Sequence, residues 1–262
     1  MRRGELFWGV LLIVLGGLFF LKAAGYLIGD VFSWFWPLFI VAAGAWVLLS
    51  GLRPRGEAPP TKGFVVPLQG AKEASLTIKH GVGRMELRAG TSADEFLTGT
   101  AAVAMNHSAQ LIGNRLDVSI DAGPSFFPFI GPEGGVWRYW LKPDVPTTLS
   151  VHAGASDLDL DLADLHITRF SFDGGASSLK LTVPARVENT LVEIQAGATS
   201  IQMQVPEGVA VRFRTRSVGS LHVNEDRFPL REAGLYQSAD YDSAGHRADI
   251  VVDGGATSIQ IS

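Results

Sequence analysis

The sequence predicts a two-helix transmembrane hairpin at the N-terminus followed by an all-β domain, a β-solenoid or β-helix-like stack with repeats of about 21 residues. Three observations carry this. The first 52 residues hold two long apolar runs. A proline- and glycine-containing stretch, residues 53–69, separates them from the rest. From residue 70 to 262 one small pattern recurs six times: two alternating apolar residues, a corner of tiny residues, then two more alternating apolar residues.

The hairpin comes first. Leu6 to Leu21 is uncharged and apolar, and Val31 to Leu52 is interrupted only by Ser33, Pro37 and Ser50. A bilayer core takes about 20 helical residues, so spans of about 5–24 and 31–51 fit. Trp8, Tyr26, Trp34 and Trp36 fall near the span ends, where amphipathic rings prefer the headgroup region. Arg2 and Arg3 precede the first span and Arg53 and Arg55 follow the second, while the Lys22–Asp30 link is neutral. The positive-inside tendency then places both termini in the cytoplasm of a two-span protein of the cell membrane. A cleavable leader would also begin with Arg2-Arg3, an apolar stretch and Ala23-Ala24-Gly25, but the second apolar segment would still stop transfer. Gly25 and Gly29 fall in the link and read as turn residues.

In the linker, Pro54, Pro59 and Pro60 end the helix and favour an extended spacer. The repeats follow. The clearest is Ile250, Val252, Gly255-Ala256-Thr257-Ser258, Ile259, Ile261. Others run Leu76/Ile78 to Met85/Leu87, Leu149/Val151 to Leu158/Leu160, Phe170/Phe172 to Leu179/Leu181 and Val192/Ile194 to Ile201/Met203. Their corners begin at Gly81, Gly154, Gly175, Gly197 and Gly255, and a sixth begins at Ser217. Alternation buries one face of each strand, and stacked neighbours close a core that no single repeat can close. Glycine suits a corner where chains approach closely. Ser178, Ser200, Ser220 and Ser258 occupy equivalent outward places, an expected hydroxyl ladder. Val211 and Phe213 stand one step out of phase with the 217 corner, so a β-bulge is expected between Phe213 and Ser217.

Two family resemblances follow from these residues. Arg3-Gly4, Leu6-Phe7-Trp8-Gly9, Leu15-Gly16-Gly17, Trp36-Pro37-Leu38 and Ala43-Gly44 resemble the LiaI/LiaF-like transmembrane region of bacterial envelope-stress proteins. Val136-Trp137 through Pro143 and Leu149-Ser150-Val151, leading into repeated Gly-Ala-Ser turns, resemble the toastrack family of β-solenoid-like modules. The first resemblance implies an inhibitor of a membrane histidine kinase, hence such a kinase as partner.

The residues offer little chemistry. The chain carries a formal charge of −4. The acidic balance beyond residue 55 argues against nucleic acid, which needs a basic face. No cysteine is present. Asp157, Asp159, Asp161 and Asp164 form the densest acidic cluster, but a straight strand is a poor calcium cage and a solvated face is the expectation. The six histidines show no HExxH or helical i, i+4 spacing, and no G-x-S-x-G elbow or phosphate loop occurs. No catalytic residue, metal or cofactor is expected.

One segment is unusual. Residues 125–141 gather Phe126, Phe127, Phe129, Trp137, Tyr139 and Trp140 around Pro128, Pro132 and the preceding Pro124, with a Gly134-Gly135 turn. These aromatics either plug the open end of the solenoid or form an apolar contact surface. Alternation sets Trp137 and Tyr139 on one side and Trp140 on the other. Phe126, Phe127, Phe129 and Trp140 are therefore the candidate partner or membrane contacts. The expected function is a non-enzymatic, membrane-anchored regulator or sensor of envelope stress whose β domain is an interaction scaffold. Its partners are the lipid bilayer and a membrane histidine kinase or another envelope-stress protein. The alternative is a self-assembling homo-oligomer: the C-terminal repeat reaches Ile261 with almost no cap, and an exposed last rung is a pairing edge.

Overall fold

In the computed structural model of the chain, the described residues are 20, 62–101, 106–121 and 136–262. The predicted hairpin, the linker up to residue 61, and Phe126, Phe127 and Phe129 lie outside them, Phe20 apart. Among the described residues no helix is long and apolar enough to cross a membrane. The β residues belong to one compact unit, Pro59–Ser125 with Gly131–Ser262.

The unit is all β. Its strands in chain order are β1 (Lys62–Pro67), β2 (Glu73–Ala89), β3 (Glu95–Ala101), β4 (Asn106–Ile112), β5 (Arg115–Asp121), β6 (Val136–Leu141), β7 (Thr147–Asp161), β8 (Ile167–Gly174) and β9 (Ser178–Thr182). They continue as β10 (Asn189–Ala196), β11 (Ser200–Gln204), β12 (Val209–Arg216), β13 (Ser220–Val223), β14 (Leu230–Glu232), β15 (Leu235–Gln237), β16 (His246–Gly254) and β17 (Ser258–Ile261). The sheet begins earlier than the prolines suggest, because residues 62–67 of the expected linker form β1. An edge strand tolerates proline, having no ladder to complete on its outer side, and Pro67 ends it with a register shift.

Pairing arranges the strands in two walls. The first runs β4–β5–β2–β7–β8–β10–β16–β12–β15–β14. The second runs β1–β3–β6–β2–β7–β9–β11–β17–β13. The long strands β2 and β7 pass unbroken from one wall to the other at the corner, and the remaining rungs break there. Pairing along the stack is parallel, as in Leu76 with Leu149, Leu149 with Phe170 and Val192 with both Phe170 and Ile250.

The inward residues of both walls form one core. Leu76, Leu149, Phe170, Val192, Ile250 and Phe213 come from the first wall and Met85, Leu158, Leu179, Ile201 and Ile259 from the second, all essentially inaccessible. Burying each such side chain stabilises by about 1.5–3 kcal/mol. Leu162, Leu165, Val183 and Val205 in the turns opposite the corner also join the core.

Two expectations are corrected. The C-terminal repeat is not the last rung: β16 lies between β10 and β12, and β17 between β11 and β13. The 209–223 repeat is terminal instead, and β15 pairs antiparallel with β12. End-to-end growth through the C-terminal rung is therefore closed, because both its sides are taken. Nor does β12 contain a bulge. It runs in unbroken register with β16 from Val209–His246 to Arg216–Asp253, so Phe213 aligns with Ile250. The missing residue falls in the corner itself, where residues 217–219 do the work of 254–257 and Ser217 takes φ 51°. Shortening a turn at the end of the stack disturbs no further rung, whereas a bulge would break the β12–β16 ladder.

Candidate functional site

The corner is the most regular feature of the molecule. Gly81, Gly154, Gly175, Gly197 and Gly255 stand in one column, set by the registers that flank them. A Cβ on Gly154 would lie 2.5 Å from the Gly81 carbonyl oxygen, and one on Gly197 3.1 Å from that of Gly175. Only backbone fits between such closely stacked rungs. The hydroxyl two residues after each glycine donates to the glycine carbonyl of the preceding rung: Ser156 to Gly81 (3.3 Å), Ser177 to Gly154 (3.2 Å), Thr199 to Gly175 (3.3 Å) and Thr257 to Gly197 (3.3 Å). Thr199 and Thr257 are buried, so these bonds satisfy hydroxyls shut off from water, and the Gly175 carbonyl also accepts from the Ala198 amide of the next rung at 3.0 Å. Sequence reasoning singled out the following serine and missed this hydroxyl; its signal is the recurring Ser/Thr at the third corner position. The serines do align, Ser178 with Ser200, Ser200 with Ser258 and Ser258 with Ser220, and Ser220 donates to Ser258 at 3.0 Å.

Beside the column runs a shallow, open groove in two adjoining hollows of about 560 and 390 Å³. Asp121, Lys79, His152, Asp173, Gln195 and Asp253 line it, one from each successive strand. His152 Nδ1 stands 3.7 Å from Asp173.

The acidic cluster is a charge ladder. Arg84 binds Asp157 (2.5 Å), Arg88 binds Asp159 (2.9 Å) and Arg138 binds Glu86 (3.1 Å) across the outer face of the second wall. Asp161 accepts from the Ala163 amide. These pairs are half-exposed, so solvent screens them and they stabilise only weakly. The carboxylates of Asp157, Asp159 and Glu86 face arginines on neighbouring strands, and among the described residues no group of three or more His, Asp or Glu converges on a point.

At one end of the core, Trp137 and Tyr139 point inward and are buried, while Arg138 and Trp140 point outward. Trp140 is half-buried beside Thr98 and Arg88. Phe64 of β1 packs on Tyr139 (6.2 Å) and reaches His107 of β4 (5.3 Å), joining the ends of the two walls. His80 is buried edge-on to Trp137 at 5.4 Å. Its rung-mates are Ala153 and, further along, Gly174. Burial holds its imidazole below the usual histidine range, and the Gly83 backbone opposes the shift without reaching hydrogen-bond geometry. Neither His80 nitrogen, nor Trp137 Nε1, nor the Tyr139 hydroxyl has a partner among the described residues. Burial also pushes the Tyr139 hydroxyl up.

The other end is capped by polar contacts. The Arg212 guanidinium stacks on Tyr241 at 4.2 Å and pairs with Asp249 at 3.5 Å. Burial and the Asp249 carboxylate push the Tyr241 hydroxyl up to about 12. Arg227 donates to the Val205 and Pro206 carbonyls, at 2.6 and 2.5 Å, beside the buried Phe228.

The described residues form an all-β, two-walled rack built round a glycine corner. The comparisons agree in kind. The N-terminal domain of toast_rack, DUF2154, matches residues 55–204, and the LiaI-LiaF-like transmembrane region matches residues 6–48. The chain belongs to the toast_rack family, and its N-terminal segment carries the membrane region of LiaI/LiaF-like proteins. A Clostridium sporogenes ATCC 15579 protein described as a candidate for cell adhesion has the same fold: TM-score 0.71 at 15% identity, over 78% of this chain and 98% of that one. A Bacteroides fragilis NCTC 9343 protein described as a candidate adhesin covers 79% of this chain and 98% of its own at 12% identity, with a TM-score of 0.28 on which nothing rests. No functionally curated protein matches the chain.

Proposed function

We propose that this chain is a non-enzymatic, membrane-anchored regulator of the bacterial envelope-stress response, with the β rack as the platform that holds its signalling partner. The observation that carries the reading is the joining, in one chain, of a LiaI-LiaF-like membrane region at 6–48 to a toast_rack domain at 55–204. The ladders of ion-paired and hydroxyl side chains on the outer face of the second wall support it as a surface for a partner. Family resemblance points to a membrane histidine kinase as partner, held beside the bilayer by two spans with both termini in the cytoplasm. Phe126, Phe127, Phe129 and the half-buried Trp140 are the contact residues this reading assigns.

The test is co-purification of the full-length protein with an envelope-stress kinase from detergent-solubilised membranes. The expected result is capture that is lost on deleting residues 1–52, together with altered kinase output when the gene is removed. A kinase whose output ignores that removal overturns the reading. A reporter fused after residue 262 that is active only outside the cytoplasm overturns the topology.

A further inference from the structure

Each wall ends in two edge strands, and an uncovered edge is a template for another strand. Three of the four carry protection. β1 has Lys62, Pro67 and a register shift between Val66 and Pro67. β14 is three residues long, with Arg231, Glu232 and a register shift. β13 is only four residues long. β4 has none of these devices. Its seven residues, Asn106-His107-Ser108-Ala109-Gln110-Leu111-Ile112, include no Lys, Arg, Asp, Glu or Pro. They pair with β5 in unbroken register, every one is exposed, and among the described residues no strand pairs with the outer side.

The side chains of β4 point the same way. His107, Ala109 and Leu111 stand opposite Ile120, Val118 and Leu116, which are core residues, so they continue the inner face of the wall, with Phe64 of β1 against His107. Leu111 and Ile112 are 38% and 56% exposed.

We propose that β4 is a self-pairing edge, through which two copies of the chain join antiparallel about a two-fold axis at Ala109. In that register Ala109 meets its own copy, His107 meets Leu111, Ser108 meets Gln110 and Asn106 meets Ile112. All seven residues find partners. Ser108 and Gln110 are each both donor and acceptor, and with no formally charged side chain in the strand no like charges face each other across the axis. Any shifted register leaves Asn106 or Ile112 unpaired. An isologous contact of this kind closes as a dimer and cannot propagate. A single strand pair is a small interface, but confinement of both chains to one membrane raises their effective concentration. The pairing is independent of which signalling partner the rack holds.

The protein has no cysteine, so single-cysteine variants report the register directly. Opposed residues of an antiparallel pair have Cα atoms about 4.5–5.5 Å apart, within the range of a disulfide, which fails beyond about 7 Å. Full-length Ala109→Cys protein in membranes is expected to form a disulfide-linked dimer on mild oxidation, and Ser220→Cys on β13 is not. Ser108→Cys chains mixed with Gln110→Cys chains are expected to cross-link to each other at least several-fold more than to themselves. Ala109→Lys is expected to lower the dimer fraction in nanodiscs about tenfold, read by light scattering. The proposal is overturned by no cross-link at 109, by cross-linking without preference between 108 and 110, or by an assembly unchanged in Ala109→Lys. A monomer whose β4 is covered by a different protein also overturns it.

Discussion

Among single residues, the glycines of the corner column are not equivalent. An added methyl at Gly154 meets backbone oxygen at 2.5 Å, and neither rung can shift without disturbing the ladders on both sides. At Gly255 the nearest atom is 3.7 Å away, ordinary contact. Gly154→Ala is therefore expected to destabilise by about 1–3 kcal/mol, the range for forced overpacking. Gly255→Ala is expected to be close to neutral. Denaturant unfolding of the two full-length variants checks both, and equal losses would contradict the geometry. His80 is the second residue with a definite consequence. Its unfolded imidazole titrates near 6.5 and its folded one lower, so below 6.5 the unfolded chain binds more protons. Stability contributed by the neutral His80 should fall as pH drops from 7 to 5. His80→Leu, which removes the titrating group and two unpaired nitrogens, should flatten that part of the dependence. A native chain and variant with parallel stability curves over this range would rule the effect out.

For the elements, the position of the C-terminal repeat decides what its loss does. In a linear stack, cutting the last repeat removes one rung and leaves the rest standing, since each contacts only its neighbours. Here β16 and β17 fill the space between two other rungs, and Ile250, Val252 and Ile259 are fully buried there. Truncation after residue 245 should leave β10–β11 and β12–β13 facing a gap the width of a rung. The expected outcome is loss of cooperative unfolding and of protease resistance across the whole β unit. A truncated protein that still unfolds in a single sharp transition would count against the pairing. The 217–219 corner belongs to the same argument. Its Ser-Val-Gly-Ser sequence departs from the Gly-Ala-Ser/Thr-Ser of inner rungs at the first two positions, where no rung lies beyond it on that wall, while Gly219 stays small because a Cβ there would meet the Thr257 carbonyl oxygen at 3.2 Å.

Across the whole molecule, the alternating strands, the corner glycines and the membrane-like N-terminus were legible because each is a local pattern. Leu158 and Leu160 read as one buried face wherever their rung stands. The hydroxyls of Thr199 and Thr257 were half legible: their recurrence is visible, but the carbonyl each one meets belongs to another rung. The candidate contacts divide in the same way. Trp140 faces outward as alternation requires, and Trp137 and Tyr139 face the core, beside a His80 whose burial no local pattern signals. Sequence alone determined the period-two burial of each strand, the tight corner and the pairing of a membrane region with a rack. Only tertiary structure decided the order of the rungs, the cap on β12 and the edge at β4 that no described strand covers. The reason is physical: side-chain alternation is set by the chain's own geometry, whereas which strand lies beside which is set by long-range pairing between segments that the sequence keeps far apart.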